Sequence, residues 1–372
     1  MLSPRGAPLV MARIDAILKL VKEQGASDLH LTTGSPPMIR IQGELTAIPH
    51  EPLSREACEL LLFELMDPGI RARYDMSKDV DFSYEVPDVA RARCNIFEHS
   101  KGPAGAFRML PSEIPTMEEL GLPAWLTRFT EMPRGLVVVT GPPGTGKSST
   151  LAALVDHINR TQKKHILTIE DPIEFKHHNK QCLVTQREVG RNTPSFSQAL
   201  HAALREDPDV IMLGEMRDPE TMSLAMTAAA TGQLVFGTLH TMSATQTVDR
   251  ILDTFDGEKQ SQARLMLSES LRGVLAQRLL RQPDGRGRAL ALEVLVGTPA
   301  VAALVRERKT FQLVSVIQTG KKEGMQSMDE ALFTLVRDGK VLARDAAPHL
   351  SNQDLAAQLD RLEPMSARRE AA

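Results

Sequence analysis

One stretch of the sequence, VVVTGPPGTGKSSTLAALV at residues 137–155, restricts the fold more than any other. Its first residues are β-branched and apolar, which is typical of a buried strand, whereas the residues after the glycines have the apolar spacing of a helix. Between them, Gly141–Ser148 has the spacing of a phosphate-binding P-loop. The segment therefore predicts an α/β domain that binds a nucleotide. The alternative is a glycine turn that only joins a strand to a helix.

Each type of residue in this loop suits phosphate chemistry. Glycines allow the backbone N–H groups to close around phosphate oxygens, and Lys147 can reach the β- and γ-phosphates. The hydroxyl of Ser148 is a predicted ligand of Mg²⁺. We therefore expect ATP and Mg²⁺ as cofactors, with the nucleotide bound by Gly141, Pro142, Pro143, Gly144, Thr145, Gly146, Lys147, Ser148 and Ser149.

The segments around the loop predict how this part of the chain folds. Apolar runs in GLVVVT, HILTIE, DVIMLGE and QLVFGTLH alternate with helical stretches, which is typical of a parallel sheet covered on both faces. In such a sheet, groups that face a ligand lie at the carboxyl ends of the strands. Side chains that follow these runs are therefore the candidates for catalysis.

Hydrolysis needs a group that positions water, and Glu215 lies just after the apolar run VIML. Gly214 stands where many P-loop enzymes carry a magnesium-binding Asp, so we expect the acidic role to be shared. Glu170, Asp171 and Glu174 can act through the water shell of the ion, and Glu174 is the preferred member. We thus predict that Glu215 and Glu174 are catalytic and hold the metal through water. For each acid, a solvated loop carboxylate or a helix cap is the alternative.

One histidine also follows a strand. His240, in TGQLVFGTLHT, is placed to hydrogen bond the γ-phosphate, and the alternative is a histidine satisfied in the core or at an interface. His177 and His178 have no such position, so we expect them on the surface.

Arginines near the end of the first third of the chain are a further candidate group. Arg91 and Arg93 alternate along one predicted strand, and Arg108 follows a glycine-bearing turn. They are either solvated surface residues or arginine fingers that reach a phosphate bound by a neighbouring subunit.

Composition excludes several classes of protein. The 372 residues, 42% hydrophobic and 24% charged, suffice for two or three domains with cores. A net charge of -3 gives no overall basic field, so nucleic acid is not an expected direct partner. No apolar run approaches about 18 residues, so we expect a cytoplasmic protein that reaches a membrane only through partners. The three cysteines form no C-x-x-C pair, which disfavours a zinc site or a disulfide framework.

Changes of pattern along the chain predict its division. Short alternating segments before residue 110 indicate a small α+β domain, and the proline-rich stretch near residues 110–116 indicates a linker. Met11 is an alternative start. The predicted parts are an N-terminal extension at 1–11, an α+β domain at 12–112, an ATPase domain ending in helices at 113–345, and a polar tail at 346–372.

The motifs resemble those of one family over almost the whole chain. LREDPDVIMLGEMRD matches the signature of the type II/IV secretion ATPase superfamily, and GASDLHLTTGSPPMIRIQGEL, HILTIEDPIEF, FGTLHT and SVIQTGKKEGMQSMDEAL resemble its type IV pilus retraction ATPases, the PilT/PilU group. The resemblance implies a PAS-like first domain, a RecA-like ATPase domain, and a cytoplasmic hexamer with nucleotides between subunits. It also implies an inner-membrane platform protein as partner. By the same match, Arg93, Arg108 and Arg288 fall on family arginines near the nucleotide or the subunit interface.

Two segments depart from the family pattern. Gln233 replaces the first of two histidines in the histidine box, so only His240 is carried over. Residues 300–307, AVAALVRE, lack the Asn-bearing centre of the retraction-associated segment AIRNLIRE. The main prediction is a hexameric ATP-hydrolysing motor of pilus retraction and twitching motility. An accessory PilU-like motor, acting beside a second retraction ATPase, is the first alternative.

Three further alternatives have their own sequence signals. An assembly or type II secretion ATPase is expected to carry a longer N-terminal region and a four-cysteine motif. A nucleotide switch that does not hydrolyse ATP need not keep Glu215 and His240. A DNA-translocating motor is expected to have a basic channel or aromatic platforms, whereas this chain has one Trp and two Tyr.

Overall fold

The computed structural model describes residues 12–362, except residues 42, 88, 112 and 286 and the side chain of Gln353. The chain divides into two compact units. The first runs to Glu113 and also contains Pro172–Lys176, whereas the second contains Ile114–Asp171 and the chain from His177 onward. The division after Glu113 falls inside the predicted linker. The return of Pro172–Lys176 to the first unit was not predicted, and the predicted extension at 1–11 lies outside the described residues.

The first unit is built on one antiparallel sheet. Its described strands are β1 (Asp28–Thr32), β2 (Met38–Ile41), β3 (Glu44–Ala47), β4 (Asp79–Val86), β5 (Ala90–His99) and β6 (Gly102–Leu110), in the order β3-β2-β1-β6-β5-β4. Its described helices are α1 (Arg13–Glu23), α2 (Arg55–Phe63) and α3 (Pro68–Ser77). Alternate residues of the strands, such as Leu29, Leu31 and Phe107, are buried in the core of this unit. This arrangement agrees with the predicted α+β domain.

The second unit contains the predicted parallel sheet. Its described strands are β7 (Gly135–Thr140), β8 (His165–Glu170), β9 (Leu183–Glu188), β10 (Val210–Leu213), β11 (Leu234–Thr238), β12 (Leu271–Arg281) and β13 (Arg288–Val296). They follow the order β13-β12-β7-β11-β10-β8-β9, and the pairs are parallel except that between β12 and β13. The α/β class predicted from the alternation of apolar runs is therefore confirmed.

Helices surround this sheet. They are α4 (Lys147–Thr161), α5 (Phe196–Ala203), α6 (Pro219–Thr231), α7 (Ala244–Asp253), α8 (Gly257–Ser270), α9 (Pro299–Arg306), α10 (Leu313–Thr319), α11 (Met328–Arg337), α12 (Ala343–Ala346) and α13 (Ala356–Leu362). Short 3₁₀ helices span Ala124–Phe129, Thr310–Gln312, Lys321–Glu323, Ala347–His349 and Gln353–Leu355. Several α-helices begin at a side-chain cap, as at Ser195, Asp218, Ser243 and Ser327, which accept a hydrogen bond from the first turn.

The end of the chain corrects one prediction. The sequence predicts a polar tail at 346–372, but Leu350 and Leu359 are buried in a cluster with residues of α11 such as Leu332. Leu355, at the end of a 3₁₀ helix, packs against the same cluster four residues before Leu359 of α13, a helical spacing that the polar residues around it obscure in the sequence. Residues 346–362 are therefore folded, and residues 363–372 lie outside the described part.

The sheet of the second unit brings its loops to one edge. The strands β7, β10 and β11 are buried along their whole length, as the apolar runs predict for a sheet covered on both faces. Because neighbouring strands are parallel, the segments after β7, β8, β10 and β11 leave the sheet on the same side. Across the ranges given above, no helix has the length and apolar character needed to cross a membrane.

Candidate nucleotide site

The P-loop is held in place by its backbone. Gly141 follows β7 with a φ of 144°, and a Cβ atom there would lie 2.5 Å from the carbonyl oxygen of Gln277 on β12. Gly144 and Gly146 have φ values of 78° and 82°, in the left-handed region that favours glycine. The oxygen Oγ1 of Thr145 donates to the carbonyl of Pro142 at 2.9 Å and closes the loop. The predicted glycine positions are thus required by the geometry of the loop.

Lys147 folds over this loop as the first residue of α4. Its Nζ atom donates to the carbonyl oxygens of Gly141 and Pro142 at 2.9 and 3.0 Å, and the residue is buried. Ser148 and Ser149 follow in the first turn of the helix, where unpaired N–H groups and the helix dipole favour an anion. The structure therefore brings all nine predicted P-loop residues together at a helix N-terminus.

A second cluster forms around Glu215, just beyond β10. The atom Nη2 of Arg217 lies 2.7 Å from Oε2 of Glu215, and Nε2 of His240 lies 3.0 Å from Oε1. An ionised carboxylate only accepts hydrogen bonds, so Nε2 of His240 carries the hydrogen. Burial raises the pKa of Glu215, but the hydrogen bond and charge of Arg217, together with those of His240, outweigh burial and hold this pKa below its ordinary value. Glu215 is therefore ionised near neutral pH.

Neighbouring strands fix the backbone around this cluster. The backbone N–H of Gly214 donates to the carbonyl of Ile169 on β8 at 2.8 Å. On the other side, Thr238 of β11 donates its hydroxyl to the carbonyl of Gly214 and accepts from the N–H of Met216 at 3.1 Å. Glu215 thus sits on a segment bonded to the strands on both sides.

A threonine chain connects the P-loop strand with the histidine segment. Thr140, the last residue of β7, donates its hydroxyl to the carbonyl of Thr241 at 2.8 Å. The side chain of Thr241 contacts that of Thr247 on α7 at 2.7 Å. Because Thr241 directly follows His240, these bonds fix the position of His240 relative to the P-loop.

The acids at and after the end of β8 have three different surroundings. Glu170 is buried, and its Oε1 accepts from Thr168 at 2.7 Å and from Gln186 at 3.0 Å. Asp171 is exposed, and its charge contributes to a raised pKa of Arg217, behind the larger effect of the hydrogen bond to Glu215. Glu174 belongs to the first unit, whereas Glu215 belongs to the second. The role of Glu174 in catalysis and metal binding therefore stays a prediction.

The arginines of the first unit differ in availability. Arg91 is largely buried and donates to the carbonyl of Ile173 at 2.9 Å and to that of Glu174 at 3.4 Å. Arg91 anchors the Pro172–Lys176 segment, so it is neither a solvated surface residue nor an arginine finger.

Arg93 and Arg108 face each other across β5 and β6. Arg93 pairs with Asp81 at 3.8 Å and Arg108 with Asp28 at 3.0 Å, and their side chains are 48% and 74% exposed. Both guanidinium groups therefore remain accessible for a further partner.

The comparisons with known proteins decide the family. Residues 5–347 match the family described as "Type II/IV secretion system protein". The chain belongs to this family. It is 51% identical to "Type IV pilus retractation ATPase PilT" of Pseudomonas aeruginosa over 333 residues, which cover 90% of this chain and 96% of that protein. It is 38% identical to "Type IV pilus ATPase PilU" of the same organism over 335 residues, 90% of this chain and 88% of that protein.

A solved structure of this secretion family has the same architecture. "Crystal Structure of the Pilus Retraction Motor PilT and Bound ADP" aligns with a TM-score of 0.86 and 43% identity, over 92% of this chain and 98% of that chain. The prediction of membership in the type II/IV secretion ATPase superfamily is confirmed. The predicted pair of a smaller sheet-containing unit and a larger P-loop unit is confirmed with it.

The structure also places Arg288, which matches a family arginine, and Gln233, which departs from the family pattern. Arg288, on β13, donates from Nη1 to the carbonyl of Gly144 in the P-loop at 3.4 Å and is exposed. Gln233 precedes β11, and its carbonyl accepts from the N–H of Gly135 at the start of β7. It therefore lies at the opposite end of the strand from His240, away from the P-loop of its own chain.

Two features escaped prediction from the sequence. His177, expected on the surface, is buried, and burial lowers its pKa to about 4; His178 is exposed as expected. Arg217 was not singled out, although it stands two residues after Glu215 in GEMRD. The available signal was an arginine close in sequence to the candidate catalytic acid.

Proposed function

We propose that this protein is an ATP-hydrolysing motor that drives type IV pilus retraction as a hexameric ring. The proposal rests on the carboxylate of Glu215. Arg217 contacts one of its oxygens and His240 the other, and it lies at the edge of the parallel sheet that also carries the P-loop. The similarity to a pilus retraction ATPase over nine tenths of the chain supports the choice of process.

Residues of the second unit divide the work of ATP hydrolysis. The P-loop N–H groups and Lys147 bind the phosphates, and Lys147 exchanges its two carbonyl partners for phosphate oxygens. Glu215 orients and deprotonates the attacking water. His240 exchanges its contact with Glu215 for a hydrogen bond to the γ-phosphate, and so links the presence of that phosphate to the state of the carboxylate.

Oxygen donors in this chain suit magnesium. The hydroxyl of Ser148 lies in the first turn of α4, and Glu215 adds a carboxylate that acts through water. In residues 12–362 apart from the excepted positions, no group of three or more His, Cys, Asp and Glu forms a metal cage. We expect the nucleotide to hold most of the ion's coordination, because Mg²⁺ usually keeps several waters and relies on substrate phosphates. When bound, Mg²⁺ neutralises charge on the phosphates during transfer.

The ring completes the site in this proposal. Arg93 and Arg108 act on the nucleotide of a neighbouring subunit, since both are exposed and permanently charged. Arg288 acts beside the P-loop of its own chain. Glu174 shares the metal-binding role through water. We place the hexamer in the cytoplasm, at the inner membrane through a platform protein of the pilus machine, without direct contact with nucleic acid.

An accessory retraction ATPase is the second candidate. The observation that favours it is the altered segment at 300–307, which forms α9 and the residue after it. Val301 and Val305 are buried there and keep the helix packed, whereas the changed residues Ala302 and Ala303 are partly buried. Gln233 is weaker support, because it lies away from the P-loop of its own chain.

Deletion and complementation in the source cell test both versions. We expect deletion to leave surface pili present or increased and to stop retraction-dependent movement. Wild-type protein should restore movement, whereas Glu215→Gln should not. In a cell that lacks any other retraction ATPase, a main motor restores retraction alone and an accessory motor does not. Bald cells after deletion would instead place the protein among the assembly ATPases.

A further inference from the structure

We propose that Arg217 is a positioning residue for the catalytic carboxylate of Glu215, and this inference rests on the proposed function. The guanidinium holds one carboxylate oxygen, Oε2, at 2.7 Å. His240 contacts the other oxygen at 3.0 Å. Arg217 and His240 therefore each contact a different oxygen of the carboxylate.

The backbone on both sides of Arg217 is fixed. Met216 is buried, and its N–H donates to the carbonyl of Thr238 on β11 at 3.1 Å. Asp218 caps α6 by accepting from the N–H and the hydroxyl of Thr221, at 2.8 and 2.7 Å. Arg217 thus extends from an anchored position, and its contact with Glu215 does not depend on a free loop.

The two partners of Glu215 are chemically unequal. A guanidinium keeps its charge at any working pH and cannot accept a proton from water, whereas an imidazole can lose its charge and change its hydrogen-bonding role. Arg217 therefore serves as the fixed partner that orients the carboxylate, and His240 as the exchangeable one. When His240 turns to the γ-phosphate, Oε1 becomes available to the attacking water while Oε2 stays held.

Charged groups on the surrounding elements agree with this division. Glu170, the last residue of β8, has its Oε1 bonded to Thr168 and Gln186, and Asp171, the next residue, acts on Arg217 through its charge. After β11, His240 is the titratable group that contacts Glu215. Removal of Arg217 therefore leaves Glu215 with His240 and the nearby acids, and its pKa should rise toward or above the ordinary value.

The test measures kcat and KM for ATP against pH in purified full-length protein carrying Arg217→Gln or Arg217→Lys. We expect Arg217→Gln to lower kcat by about ten- to a hundred-fold, a typical cost of losing a partner that orients a reacting group. KM should change by less than about two-fold, because no phosphate contact is removed. The acid limb of the kcat profile, which reports the essential base, should move to higher pH. Arg217→Lys should recover part of both effects.

Two control variants separate the possible failures. Arg337→Gln removes an arginine of similar exposure, 62% against 66%, whose partner Asp338 lies outside the site, and it should leave kcat and the pH profile unchanged. Normal turnover by Glu215→Gln would refute the catalytic assignment itself. If Glu215→Gln is inactive but Arg217→Gln keeps the wild-type kcat and acid limb, the positioning role is wrong. A higher kcat in Arg217→Gln would also overturn it, since the arginine would then restrain the carboxylate.

Discussion

The two sheets of this molecule present their functional side chains in different ways. In the second unit, parallel strands deliver the P-loop, Glu215 and His240 to one edge, and hydrogen bonds to neighbouring strands hold each segment. In the first unit, Arg93 and Arg108 lie opposite each other on antiparallel strands and project into solvent with one acidic partner each.

This difference separates what one chain can do alone from what it supplies to others. The nucleotide edge is preorganised, because its geometry is set by backbone contacts that a side-chain change cannot easily relax. The arginine pair is held by exposed ion pairs, which contribute little free energy and exchange partners readily. We infer that the second unit binds and activates ATP, while the first unit offers charge to a phosphate bound elsewhere.

The largest effect is expected at the preorganised edge, from Gly141→Ala. An added Cβ would lie 2.5 Å from the carbonyl oxygen of Gln277, at a φ of 144° that disfavours alanine. Strain and overlap on the order of 3 kcal/mol predict ATP binding weaker by at least about a hundred-fold. Titration with a fluorescent ATP analogue would measure this loss.

Gly257→Ala is the matched control for that variant. Nothing lies within 4 Å of a Cβ atom at Gly257, at the start of α8. This variant should bind ATP as the wild type does, and thermal unfolding of both proteins would show whether Gly141→Ala still folds. Wild-type affinity in a folded Gly141→Ala protein would contradict the rigid description of the loop.

A smaller effect is expected when subunits with complementary defects are mixed. Arg108→Ala should keep ATP affinity within about two-fold, because it removes no P-loop contact. Lys147→Ala keeps the arginines but loses a phosphate ligand. In an equal mixture, random assembly pairs an intact P-loop with an intact neighbouring arginine at about a quarter of the interfaces, so turnover should approach about a quarter of wild type.

Steady-state ATPase activity of the mixture, against each variant alone, measures this recovery. Recovery requires that subunits exchange, which a mixture of differently tagged wild-type proteins checks. If exchange occurs and activity does not recover, the arginines act only within their own chain.

Local patterns were sufficient to predict the P-loop and the strand-end positions of Glu215 and His240. The reason is physical: apolar runs identify buried parallel strands, and parallel strands release their next residues at a common edge. Glycines at 141, 144 and 146 are also a local signal, because their backbone angles exclude most other residues. No tertiary information was needed for these positions.

Other features depend on contacts between distant residues. The return of Pro172–Lys176 to the first unit rests on Arg91 and on the pairing of Lys176 with Glu85 at 2.7 Å, which no local periodicity encodes. His177 follows directly after this segment, belongs to the second unit and is buried. The contact between Arg217 and Glu215 likewise depends on the hydrogen bonds that hold the neighbouring residues Met216 and Asp218 in place.

Binding and turnover of ATP by Glu215→Gln, compared with Lys147→Ala, test the assignment of the motor site most directly. Glu215→Gln should bind ATP with an affinity near that of the wild type and retain it, because the P-loop is intact, while hydrolysis falls by at least about a hundred-fold. Lys147→Ala should lose affinity as well as turnover. If Glu215→Gln instead hydrolyses ATP at a rate near that of the wild type, Glu215 is not the catalytic carboxylate, and the role passes to Glu174.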